Sequence, residues 1–166
     1  MGDTTDVMAS RTFLETCRGI ERLCADLYHY YGEIYEDIPE AALLWKKTAL
    51  EEENHQMQFE LALRLLDESE FEISKESLKR AFSIQTKLLK LTDHVKNEKP
   101  ELLIAISKAV EMEDQLAALH VHTSLKFKEE SMQKLFKALG DDDCEHVAAL
   151  QRYSMILHLP HNEMRG

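Results

Sequence analysis

Apolar residues recur at alternating intervals of three and four along four long segments of this chain. That spacing keeps one face of an α-helix apolar and is the seam pattern of a helix bundle. The first stripe runs Phe13, Cys17, Ile20, Cys24, Leu27, Tyr31, Ile34, with Leu14, Glu21, Tyr28 and Tyr35 as a flanking row. The second is Ala41, Trp45, Thr48, Glu52, His55, Phe59, Ala62, Leu66; the third is Leu102, Ile106, Ala109, Glu113, Leu116, His120, Thr123, Phe127. The fourth is Met132, Phe136, Leu139, Asp143, His146, Leu150, Tyr153, Leu157. Pro39 and Pro100 each precede a Glu, as at a helical first turn, and Pro160 lies where a last helix would end. These signals predict long helices over 10–36, 39–69, 100–129 and 131–158, with a further helix over 74–96 in the connection between the second and third. Period-two alternation is absent, and only 5 Gly and 3 Pro argue against a many-turned sandwich or barrel. The expected fold is an all-α four-helix bundle in a single domain over 1–166.

The bundle creates an electrostatic problem. Glu52, His55, Glu113, Asp143 and His146 fall on the seams, and Glu21 sits beside one. A carboxylate in a dry core costs several kcal/mol unless compensated. Two divalent cations would bring four positive charges to four carboxylates, with two neutral imidazoles completing the donor set.

An acidic residue three before a His puts both on one helical face, but the pairing alone is weak, since roughly 1.5 cases arise by chance counting. Three occur: Asp26/His29, Glu52/His55 and Asp143/His146. Asp26 and His29 lie off the stripe and read as a solvated face. An internal repeat strengthens the other two. Glu21 to Glu113 is 92 residues, while Glu52 to Asp143 and His55 to His146 are each 91. The second helix pair therefore copies the first, giving one Glu from each of two helices and an acidic residue plus a His from each of the others, a di-metal carboxylate pattern of helix bundles. Oxygen-rich ligation with two imidazoles suits iron or manganese and accepts zinc.

The segments Leu50-Glu51-Glu52-Glu53-Asn54-His55 and Leu139-Gly140-Asp141-Asp142-Asp143-Cys144-Glu145-His146 resemble the second- and fourth-helix motifs of the rubrerythrin-type branch of the ferritin-like di-iron proteins. The resemblance covers nearly the whole chain. It implies an antiparallel, ferritin-like four-helix bundle holding two iron ions, with Glu21, Glu52, Glu113 and Asp143 as ligand carboxylates and His55 and His146 as ligand histidines. It also implies reduction of peroxide or dioxygen, an external electron-donor protein and a homodimer, for which Tyr30 is a candidate interface residue. Three features depart from the family. Asp143 stands where a Glu is usual, and Leu116 occupies the position of an additional Glu one turn after Glu113. A rubredoxin-like module with iron-bound cysteines is missing.

Other residues receive plainer readings. Tyr28 and His120 each follow their Glu by seven; they are expected to pack in the core with their polar atoms hydrogen-bonded, close enough to contact the metal-binding carboxylates, an additional ligand being the alternative for His120. Cys17 and Cys24 would lie about 10 Å apart along one helix, too far to bridge, and read as small core hydrophobes. Cys144 is expected to face outward. Asp141 and Asp142 read as solvated helix surface or turn, and His158 and His161 as tail residues. With 31 acidic against 20 basic residues and a net charge of −11, nucleic-acid binding is not expected. No secretory signal or membrane span is visible, so a cytoplasmic protein is expected. Besides the redox enzyme, two readings stand: a metal-binding or iron-storage bundle without turnover, and a partner-binding bundle whose six polar residues form hydrogen-bond networks.

Overall fold

The computed structural model describes residues 4–65 and 73–158. Among these residues the fold is all helical: α1 (Thr4–Ile34), α2 (Pro39–Leu65), α3 (Lys75–Asn97), α4 (Leu102–Ser124) and α5 (Glu130–Leu157). The expected stretch 66–69, with the seam residue Leu66, lies outside the described residues, as do Pro160 and His161. No helix here is long and apolar enough to cross a membrane.

Local chemistry explains the boundaries. The Ile38 carbonyl accepts from Ala42 N at 3.0 Å, so Pro39 occupies the first helical turn, where its missing N–H costs nothing. Ser74 caps α3 through its hydroxyl, which accepts from Ser77 N at 3.1 Å. Beyond α1, the Tyr35 hydroxyl donates to the Pro100 carbonyl at 2.6 Å, tying the end of the first helix to the start of α4.

The third long helix stops at Ser124 rather than reaching 129. Thr123 and Ser124 donate their hydroxyls back to the carbonyls of Leu119 and Val121, which competes with helix continuation. Phe127 is nevertheless buried, as its seam position requires, and the Gln133 side chain holds its carbonyl from α5.

The helices pack as a bundle. α1 lies along α2 and α4 along α5, α2 meets α5, and α3 packs against both α1 and α4. Nearly every seam residue in the described segments is buried, with Ile34, Leu102, Met132, Tyr153 and Leu157 partly covered at the ends. Two aromatic groups flank the polar centre. Tyr28, Tyr31, Tyr35 and Trp45 form one, with Tyr31 and Trp45 ring centroids 4.7 Å apart; Phe59, Phe127 and Phe136 form the other, with Phe59 and Phe136 5.2 Å apart. Each fully buried large apolar side chain contributes about 1.5–3 kcal/mol, and these groups sit directly beside groups that cost energy to bury.

Gly140 lets α5 approach α4 just before the acidic run. A Cβ there would lie 2.7 Å from Val121 Cγ2 and 3.4 Å from the Ala117 carbonyl oxygen. Valine in a helix has one strongly preferred rotamer, so it yields poorly. Gly140→Ala should therefore destabilise the chain by about 1 kcal/mol, overpacking outweighing the gain in helix propensity. Adding Val121→Ala should restore the loss. Chemical denaturation of the two variants checks this.

Candidate metal centre

All six sequence-predicted ligands come together in the middle of the bundle. α1 supplies Glu21, α2 Glu52 and His55, α4 Glu113, and α5 Asp143 and His146; all are buried. Tyr28 and His120 join them. Asp26 and His29 do not: His29 pairs instead with Glu53, 2.7 Å away on the surface of α2.

The imidazoles are arranged alike. His55 turns Nδ1 inward, 3.2 Å from Glu52 Oε2 and 3.6 Å from Glu21 Oε2. His146 turns Nδ1 inward, 2.9 Å from Glu52 Oε1 and 3.3 Å from Glu113 Oε2. The rings stack with centroids 5.7 Å apart.

Their outer nitrogens have partners that the sequence reading missed. Asp142, expected to be merely solvated, places Oδ2 3.3 Å from His55 Nε2, while Glu51 Oε2 lies 2.6 Å from His146 Nε2. Each is the residue just before a buried carboxylate and belongs to the opposite helix, and the two are themselves 91 residues apart. Extending the repeat by one residue would have found them. A carboxylate on the outer nitrogen fixes ring orientation and leaves the inner nitrogen for a cation. A cleft of about 380 Å³ opens over both histidines, lined also by Lys47, Asn54, Gln58 and Glu145.

The repeat also governs the inner contacts. Tyr28, seven after Glu21, donates its hydroxyl to Glu113 Oε1 at 2.5 Å. His120, seven after Glu113, holds Nε2 3.2 Å from Glu21 Oε1 and bonds Asp143 Oδ2 through Nδ1 at 2.6 Å. Several atoms receive no hydrogen bond: both oxygens of Glu21, Glu52 Oε1 and Asp143 Oδ1. Imidazole nitrogens lie 2.9 Å from Glu52 Oε1 and 3.2 Å from Glu21 Oε1 without making hydrogen bonds to them; buried lone pairs left so are costly, and a cation would satisfy them. Among the described residues two groups have ligand atoms all within 4.8 Å of one another: Glu52, Glu113, Asp143 and His146, and Glu21, Glu52 and His55. The cluster could hold a metal ion.

Without a cation, protons carry the compensation. Burial opposes charge on His55, but Glu21 and Glu52 raise it to about 12. Burial likewise opposes charge on His146 and His120; Glu113 and Glu52 raise the first to about 11, and Asp143 and Glu21 the second to about 10. Burial pushes Glu21 upward, yet its contacts with Glu52, His120 and His55 bring it down to about 2. Burial and the Glu52 charge push Glu113 up to about 7, and burial and the Glu21 charge push Glu52 up. Burial, then the charge of Glu21 for Cys17 and of Glu52 for Cys24, raises both thiols and keeps them protonated. Cys144 is exposed, as expected.

No family model, curated protein or solved structure matches this chain. The fold and site define a helical bundle with a buried carboxylate and histidine cluster that could hold a metal ion.

The proton inventory gives a signed prediction. The three histidines are raised above an unfolded value near 6.5, so their stabilisation is full below about pH 6.5 and fades as pH rises toward 10–12. Glu113, raised to about 7, adds a loss between about pH 4.5 and 7, whereas Glu21 adds stability that is lost only as pH falls from about 4.5 toward 2. The metal-free protein should thus lose thermal stability from pH 6 to pH 9. Metal must displace those protons, so the rise in Tm on adding manganese(II) should grow over the same range. Thermal unfolding with and without chelator, across pH, checks both slopes.

Proposed function

We propose that this chain is a rubrerythrin-type, ferritin-like di-iron protein that reduces peroxide or dioxygen using electrons from an external donor. The observation carrying this reading is the set of buried carboxylate oxygens without hydrogen-bond donors, facing two inward-turned imidazole nitrogens across a repeated helix pair. The proposal takes the bundle as antiparallel and four-helical around the site, with α3 as the connection, and the protein as a homodimer. Glu21, Glu52, Glu113 and Asp143 would hold the two ions, with His55 and His146 each fixing one. When bound, two ferrous ions supply two electrons, the number that reduces hydrogen peroxide to water.

The chain's own residues set the conditions. Glu51 and Asp142 orient the imidazoles from the cleft, and Tyr28 holds Glu113 by a phenolic hydrogen bond. The apolar flanks exclude water from the carboxylates, strengthening their hold on charge. Manganese or zinc fits the same donors, and the oxygen-rich set favours iron or manganese.

One observation favours a second reading, in which metal is bound without turnover. Leu116, fully buried one turn after Glu113, offers no ligand where a further carboxylate would let the coordination shift. A storage role predicts many irons oxidised per chain in air, and a redox site about two.

Mixing the anaerobic ferrous protein with hydrogen peroxide should produce near-ultraviolet charge-transfer absorption of oxidised iron at two irons per chain, within the mixing time or shortly after. A slow rise matching free ferrous iron sinks the redox proposal. Glu52→Ala, which removes the carboxylate common to both ligand groups, should abolish the fast phase.

A further inference from the structure

The repeat predicts equal halves, and one contact breaks that equality. Glu52 belongs to both groups of converging donors, whereas its counterpart Asp143 belongs to one. Asp143 is one methylene shorter, and it is also tethered. His120 donates from Nδ1 to Asp143 Oδ2 at 2.6 Å, leaving Oδ1 as the oxygen without a hydrogen-bond partner. Tyr28, the residue corresponding to His120, reaches Glu113 and makes no such contact with Glu52. A phenol has one O–H, whereas an imidazole presents two nitrogens on opposite edges. His120 uses one against Asp143 and sets the other 3.2 Å from Glu21.

We infer that the centre takes its two cations unequally, because His120 clasps Asp143 and leaves it one free oxygen, 3.9 Å from His55 Nδ1, while Glu52 keeps two and belongs to both groups of donors. This rests on the proposed metal-binding reading and deepens it. The position with four donors, Glu52, Glu113, Asp143 and His146, fills first; the position of Glu21, Glu52 and His55 has three and fills second, since affinity follows the number and charge of ligands. His120 is a positioning residue: it binds no cation and acts mainly through Asp143, with a longer contact to Glu21. Packing explains how an imidazole comes to sit here. Phe59 and Phe136 ring centroids lie 5.6 Å and 6.4 Å from that of His120, holding its edge toward Asp143.

Cobalt(II) titration of the metal-free protein, followed by calorimetry and by the visible absorption of the bound ion, tests the inference. The wild-type chain should bind two cobalt ions in two resolved steps with different spectra. His120→Phe should weaken the first step about 10–100-fold, the usual effect of losing a group that orients a ligand, and weaken the second step less, because the contact with Glu21 is the longer one, at 3.2 Å against 2.6 Å. His120→Asn, whose amide N–H can take the place of Nδ1–H, should keep the first step and its spectrum. Circular dichroism of the metal-free variants establishes that they fold; if His120→Phe does not, the comparison of wild type with His120→Asn and His120→Gln decides, because Gln places its N–H too far out to reach Asp143.

Two equal steps in the wild type, or an Asn variant as damaged as the Phe or Gln variant, overturn the inference while leaving metal binding intact. A wild-type chain that takes up no cobalt overturns both.

Discussion

Four carboxylates and three imidazoles share the dry centre of this bundle, and their mutual compensation is the constraint the remaining structure serves. An isolated ionised group there would cost several kcal/mol, comparable to a large part of a domain's net stability. The fold meets the cost in stages. Imidazolium protons balance carboxylates in the metal-free state, and Tyr28 donates to Glu113. The lone pairs still left without donors are where a cation gains most. Such a centre is held together by charge rather than by shape, so the aromatic flanks at either end have to define its geometry.

Duplication explains how one chain assembles so many groups at one point. Each half supplies a Glu, an acidic residue followed by a His, and a polar residue seven after the Glu, and the contacts cross between halves. Tyr28 of the first half reaches Glu113 of the second, while His120 of the second reaches Glu21 of the first. Asp142 and Glu51 cross in the same manner to His55 and His146. Because each half is incomplete without the other, packing α1 and α2 against α4 and α5 is coupled to completing the site.

The helical seams and the six buried polar residues were legible in the sequence because period and repeat report on a face of a helix. Glu52 and Asp143 were found by where they interrupt an apolar stripe, and that position is what buries them. What was not legible depends on the third dimension. Asp142 is half exposed and follows no stripe; its place 91 residues after Glu51 sets it apart from Asp141, but that it reaches a histidine on another helix is visible only in the fold. The early end of α4 was hidden for a related reason: Phe127 keeps the seam spacing but is buried from the connection between α4 and α5, so burial continued where the helix did not. Periodicity reads the demand for burial, and it cannot tell which backbone satisfies it.

Access and insulation make opposite demands on such a centre, and the rim answers both. Water kept away from the carboxylates strengthens their interaction with any cation, yet a cation needs a way in. The cleft over His55 and His146 is lined by Glu51, Asp142 and Glu145 with Lys47, a net acidic mouth suited to drawing in cations. Glu51 and Asp142 belong at once to the mouth and to the histidines beneath it. A cation entering the cleft would therefore meet first the carboxylates that aim the ligands, which couples loading of the site to its orientation. That coupling needs the outer carboxylates to remain partly solvated, as Glu51 and Asp142 are, at 39% and 55% exposure. Full burial would add their charge to the cost at the centre, and full exposure would free the histidines to turn.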